Sequence, residues 1–194
     1  GRLYGLTRDQ MRVALGLCAT RASGLKSQFG TMGKPYNAGI AAANGVECAA
    51  LARAGFTSAD DGVMGPQGFV LTHSDHPVEA GVWDAPPPHS FVFEDIKYKL
   101  HACCHGTHAM IEGLATALRQ HNLTPERVAK VHLRTSPRWL SVCDIKRPRT
   151  GLEVKFSYAW LAGMVLAGIP TAAERTYTDA LAADPTLAKF AEKI

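Results

Sequence analysis

Apolar positions recur at helical spacing through the first quarter of the chain. Thr7-Arg-Asp-Gln10 has the form of a capping box, and Met11, Ala14, Leu15, Cys18 and Ala22 follow it three or four residues apart. The pattern predicts a helix with Gly24 as its stop. Pro35 suits a first helical turn, because its fixed φ is already helical and its missing N–H is not needed there. A second helix is therefore expected over residues 35–54, ended by Gly55 in a left-handed conformation. Ala38, Ala42, Gly45, Ala49 and Ala52 form a smooth stripe along it, a surface that another helix backbone can approach closely. Thr57 to Asp61 reads as a further polar helix start, and Gly65-Pro-Gln-Gly68 as a turn.

Between residues 72 and 91 the pattern changes. His73, Asp75, His76 and Pro77 precede Pro86-Pro-Pro88, and three successive prolines continue neither a helix nor an inner strand. This is the expected domain junction. Beyond it, residues 103–121 have helical polarity with Ala109, Ile111, Leu114, Ala117 and Leu118 as the buried face. Residues 127–135 alternate as a half-buried strand, with Val128, Val131 and Leu133 imperfectly in phase. Residues 156–168 and 171–183 read as helices, and Asp184-Pro185 opens a last one. The predicted fold is mainly α with a small α+β part: an all-helical segment over 1–90 and an α+β domain over 91–194.

Composition narrows the functional classes. Of 194 residues, 46% are hydrophobic and 20% charged, which is ample for a packed core and excludes wholesale disorder. No apolar run approaches the ~20 residues of a membrane-spanning helix. The opening Gly-Arg-Leu-Tyr-Gly-Leu has no apolar stretch after its charge, so no signal peptide is expected. A net charge of +4 demands neither nucleic acid nor membrane as partner, but suits an anionic small molecule. Cys18, Cys48, Cys103, Cys104 and Cys143 are odd in number and without repeating spacing, the usage of reduced thiols in a cytoplasmic protein.

Two segments could carry chemistry. In Phe29-Gly-Thr-Met-Gly-Lys-Pro-Tyr-Asn-Ala-Gly39 a glycine-rich turn leads into a helix start, so several amides and a helix dipole converge beside Lys34. A carboxylate would fit there as well as a phosphate, or the segment is only a loop and cap with a solvated lysine. It lacks P-loop spacing. In Lys97-Tyr-Lys-Leu-His-Ala-Cys-Cys-His-Gly-Thr-His108, His101, His105, His108 and a thiol can exchange protons near neutral pH. If the helix begins near Cys103, Cys104 and His108 share one face and form a proton-abstracting pair, with Lys99 holding a carboxylate. The alternatives are surface histidines beside a buried thiol, or a metal site. The candidate metal ligands are bunched, and only His73 and His76 lie elsewhere, so no metal is assigned. Lys146-Arg-Pro-Arg149 reads as a solvated loop, and Trp139 and Trp160 as core.

In these segments the chain resembles the MmgE/PrpD family of 2-methylcitrate dehydratases, cis-aconitate decarboxylases and iminodisuccinate epimerases. Gly30-Thr-Met-Gly-Lys-Pro-Tyr-Asn37, Gly55-Phe-Thr57 and Gly65-Pro-Gln-Gly-Phe69 are similar to its Gly-Thr-Met-x-Lys-Pro-x-His, Gly-Phe-Thr and Gly-Pro-x-Gly-Phe. Lys99-Leu-His-Ala-Cys-Cys-His-Gly-Thr-His108, continued by Ala109-Met-Ile-Glu112, is similar to Lys-x-Tyr-x-Cys-Cys-x-x-Thr-His-Ala-x-Ile-Asp. Lys155-Phe-Ser157 resembles the Lys-Phe-Ser that opens a later helix. Asn37 stands where the family has histidine, and His101 where it has tyrosine.

The resemblance implies a helical domain followed by an α+β lid, with an anionic-substrate site between them. It also implies cofactor-free proton transfer next to a carboxylate of a di- or tricarboxylic acid, with loss of water, loss of CO2 or inversion. Carried over by position, Lys34 binds a substrate carboxylate with Gly30, Thr31, Met32 and His101 beside it. Lys99, also a carboxylate holder, Cys104 and His108 form the catalytic group. Family members are longer, so this chain is expected to be a fragment or shortened relative and inactive alone. The small-residue stripe and the family point to a homodimer. The competing class is a non-catalytic helical interaction module, in one form holding a metal through the Cys/His segment.

Overall fold

A computed structural model describes residues 1–75 and 94–194. The proline-rich junction and His76 lie outside the described residues. The chain divides into two compact units, Gly1–Lys26 with Pro35–Ile96, and Ser27–Lys34 with Lys97–Ile194. The described residues are mainly helical, and none of their helices is long and apolar enough to cross a membrane. All five cysteines are free thiols.

In the first unit, α1 (Arg8–Thr20) opens on the expected capping box. The Thr7 hydroxyl accepts from Gln10 N–H, and the Gln10 side chain accepts from Thr7 N–H. The helix stops at Thr20, short of Gly24, which takes the left-handed conformation (φ 114°) in the loop beyond. Helix α2 (Gly33–Arg53) starts two residues before Pro35, which therefore occupies the first turn, where no amide is required of it. Its end follows the expected pattern: Phe56 N–H reaches Leu51 O and Gly55 N–H reaches Ala52 O, with Gly55 at φ 90°. Arg21 ties the end of α1 to α2, its carbonyl accepting from Asn44 and its guanidinium pairing with Glu47. Only the later half of the alanine stripe is covered: Ala49 and Ala52 are buried, whereas Ala38 and Ala42 are exposed.

One local expectation fails here and one holds. Residues 57–61 form no helix, because the Asp61 carboxylate caps a turn at Met64 N–H instead. The Gly65–Gly68 turn forms and leads into α3 (Phe69–His73).

The second unit is built around α7 (Tyr158–Leu166), buried on nearly every side and capped by the Ser157 hydroxyl. It packs on α9 (Pro185–Ala191) and α4 (His108–Gln120), while α6 (Gly151–Val154) packs on α8 (Asp179–Ala182). Leu161, Met164, Leu187 and Val154 form the center of the core, and Trp160 joins them. Asp184 caps α9 as its sequence suggests, accepting from Thr186 and Leu187 N–H. α5 (Pro137–Cys143) places Trp139 against the core.

The strand expected over 127–135 is extended chain. Val131 N–H donates to Lys193 O, but one bond makes no ladder, and the described residues contain a single isolated bridge, Asp144 with Ser157. The helix expected over 171–183 breaks up. A 3-10 turn at Glu174–Thr176 and the short α8 replace it, because Thr178 starts a new cap and Tyr177 OH is drawn back to Thr171 O. The helix expected from 103 begins later, as a 3-10 turn at His105–Thr107 running into α4. Met110, not Ala109, joins Ile111 on its buried face.

Candidate active site

The glycine-rich loop 27–34 belongs to the second unit, as does the Cys/His segment. Phe29 stacks on Phe156 (5.5 Å, 20°), which anchors the loop. Gly30 adopts φ 87° with Ile145 and Glu153 close by, a conformation that disfavors any side chain. Thr31 is occupied within the loop: its hydroxyl donates to Gln28 O and accepts from Gly33 N–H, and its carbonyl accepts from Lys34 N–H. The amides of Gly33 and Lys34 are thus taken locally and do not point jointly at a ligand as the glycine pattern suggested. Met32 is exposed. What the loop offers is the ammonium group of Lys34.

The second segment is pinned from three sides. Ala102 N–H donates to Thr171 O, Cys104 N–H to Lys155 O, and Thr107 through both its amide and hydroxyl to Cys104 O. Cys104 has extended backbone (ψ 134°), so it precedes the helix and shares no helix face with His108. Thr107 is fully buried and also contacts the Cys103 thiol at 3.1 Å. Gly106 is required: a Cβ there would meet the Trp139 ring, while its carbonyl accepts from Tyr158 OH at 2.9 Å.

These constraints set an unusual charge pattern. The Cys104 thiol is lowered to about 6, first by a hydrogen bond from Cys143 and then, against the cost of burial, by Gly106 N–H, Lys99 and Lys34. Cys143 is pushed up correspondingly, because it keeps its proton to serve that thiolate and is buried. Lys34 and Lys99, far apart in the chain, thus act on one sulfur. Lys99 also donates to Cys103 O at 3.3 Å. Burial, then repulsion from His101, His105 and Lys99, holds His108 below the ordinary imidazole value, against the pull of Cys103 O. Nε2 of His108 is buried and has no hydrogen-bond partner. In the neutral ring it presents a lone pair.

Lys99 reaches the Cys103 carbonyl beside Cys104, Lys34 bears on that thiol only electrostatically and more weakly, and His108 follows Thr107 in the same segment. His101 lies edge-on to His108 (4.9 Å, 81°), and the more exposed His105 lies 5.1 Å away. Both nitrogens of His101 are engaged, by Glu112 and Thr171. Among the described residues, no three His, Cys, Asp or Glu side chains converge on a point suited to a metal ion. The basic side chains of 146–149 are exposed as expected, with Lys146 paired to Asp144 and Arg149 to Glu153, while Pro148 between them is buried.

Cys143, Thr171 and Glu112 escaped the sequence reading. The first two are remote in the chain and announce themselves by no spacing. Glu112 stands four residues after His108, a helical interval that could have flagged it.

The MmgE/PrpD N-terminal domain matches residues 1–80, and the MmgE/PrpD C-terminal domain matches residues 101–194. Two curated relatives, both named cis-aconitate decarboxylase, come from Aspergillus terreus and from its strain NIH 2624 / FGSC A1156. They are each 31% identical, over 192 and 193 residues, covering 86% of this chain and 37% of the relative. The chain thus spans well under half the length of these relatives.

Proposed function

The chain belongs to the MmgE/PrpD family, and from that premise we propose that it carries the proton-transfer part of a cofactor-free lyase acting on a small di- or tricarboxylic acid. The observation that carries this reading is that two ammonium groups, Lys99 and more weakly Lys34, favor the Cys104 thiolate in the same segment as the unpartnered Nε2 of His108. Two ammonium groups hold substrate carboxylates and stabilize the charge that develops on one of them. His108 Nε2 takes the C–H proton next to that carboxylate, and the electron pair left on carbon either expels hydroxide from the neighboring carbon or is reprotonated from the other face. Run the other way, a protonated His108 delivers its proton to carbon as a carboxylate leaves as CO2. Lys99, Cys104 and His108 form the reacting group, and the loop Gly30–Thr31–Met32 presents Lys34.

The relatives' name supports a tricarboxylic substrate of the cis-aconitate kind and a decarboxylation. The second unit takes the role of the family's α+β lid. The exposed half of the α2 stripe supports a homodimer, which light scattering on the full chain would test, and the five free thiols support a cytoplasmic setting.

The direct test is thermal protection by citrate or cis-aconitate. Either anion should raise the melting temperature, and Lys34→Ala and Lys99→Ala should each abolish the rise. No shift with any di- or tricarboxylate would overturn the reading.

A further inference from the structure

We propose that Glu112 is a positioning residue for His108: with Thr171 it grips both ring nitrogens of His101, and that held imidazole fixes the adjoining His108 ring with Nε2 free to exchange a proton. The inference rests on the reading of His108 as the proton-carrying group and identifies what holds it.

His101 Nε2 lies 2.9 Å from Glu112 Oε1, and its Nδ1 lies 2.7 Å from Thr171 Oγ1. The His101 side chain is 11% exposed, against 58% for Glu112, so the imidazole is the enclosed member of the pair. A ring bonded at both nitrogens cannot flip or rotate without breaking both bonds, and neither nitrogen remains for a substrate.

Thr171 is itself anchored, since its carbonyl accepts from Ala102 N–H and from Tyr177 OH, each at 2.9 Å. Glu112 and His108 stand four apart on α4, hence on one face, and His101 reaches across both from a separate stretch of chain. Its edge-on contact with His108, at 4.9 Å between ring centroids, restricts rotation of that ring. Nε2 of His108 is buried and has no hydrogen-bond partner, so it is left free to exchange a proton.

The test is nitrogen-15 NMR of the histidine rings in the full 194-residue chain, with citrate binding measured on the same variants. In the unmodified protein His108 should be a single tautomer, protonated on Nδ1 and unprotonated at Nε2. Glu112→Ala should replace it by an average of two tautomers, visible as a large shift of both His108 ring nitrogens. Glu112→Gln, whose amide oxygen still accepts from His101, should restore the single form. Thr171→Val reaches the other nitrogen of His101 and should reproduce the Glu112→Ala shift, so the outcome does not depend on one variant folding. Citrate affinity should stay within about threefold, because the lysines are untouched.

Unmoved His108 signals in Glu112→Ala and Thr171→Val would overturn the proposal, as would a Glu112→Gln spectrum matching that of Glu112→Ala. A chain that binds no citrate yet shows the tautomer change supports the positioning while removing the functional reading.

Discussion

In the second unit Leu161, Met164, Leu187 and Val154 are wholly enclosed, whereas among the described residues of the first the buried apolar ones are Ala14, Cys48, Ala49 and Ala52. The first unit at the same time exposes Leu3, Leu15, Tyr36, Val46 and Phe56. Enclosing one large aliphatic side chain is worth roughly 1.5–3 kcal/mol, and an alanine far less. The contrast teaches where a site can be built. Loop 27–34, the segment around 99–112 and residues 143 and 171 are distant in the chain, and holding their side chains at fixed separations needs a rigid frame. The unit with the large core supplies that frame, and all of these residues belong to it.

The sharpest way to break this contrast is to cut the same side chain in both units. Leu161→Ala should cost about 2–5 kcal/mol in urea unfolding, from lost burial plus the cavity left behind. Leu15→Ala, at an exposed position, should cost less than about 0.5 kcal/mol. Equal losses would end the comparison.

Gly106→Ala comes next, at about 1–3 kcal/mol, because a methyl group would enter the Trp139 ring. It should also slow alkylation of Cys104 near neutral pH, since Gly106 N–H serves that thiolate. Destabilization with an unchanged alkylation rate would separate the packing of the segment from its chemistry. In the first unit the corresponding local device is the cap of α1. Thr7→Ala should cost about 1 kcal/mol, read as faster amide exchange in the first turn of α1.

The last effect is on the pH dependence of stability. Between about 6 and the ordinary thiol value of 9.0 the folded chain carries a Cys104 thiolate that the unfolded chain lacks. The unfolded state then binds more protons, so this contribution rises with pH and is lost as pH falls through about 6. Above 9.0 both thiols ionize in the unfolded chain while folded Cys143 retains its proton, and the slope reverses. Alkylation of Cys104 should show the same midpoint near 6, moving upward in Cys143→Ala. A midpoint near 9 in the unmodified protein would contradict the charge pattern of the site.

Much of the first unit was legible because its features are local. Thr7 and Gln10 lie three residues apart and bond to each other, and Gly55 ends α2 by its own backbone conformation. The same holds for Asp184 before Pro185. The failures have separate causes. Residues 127–135 have an alternating pattern but no partner strand among the described residues, whereas residues 171–183 have helical spacing but are divided by the Tyr177 hydroxyl on Thr171 O and by the Thr178 cap. At the site, the motif lettering drew attention to Lys34, Lys99, Cys104 and His108. It also suggested a shared helix face for Cys104 and His108, which the late start of the helix removes.

What the residues determined unaided is the set of elements whose energetics are settled within a turn or two of chain, and the supply of cations, thiols and imidazoles in two short segments. Folding in three dimensions decided which of these would meet. The thiol beside Cys104 comes from α5, the hydroxyl on His101 from seventy residues away, and the ammonium of Lys34 from a loop anchored on Phe156. Such contacts leave no periodic trace, because each is selected by the packing of the core between the segments and by no interaction along the backbone that joins them.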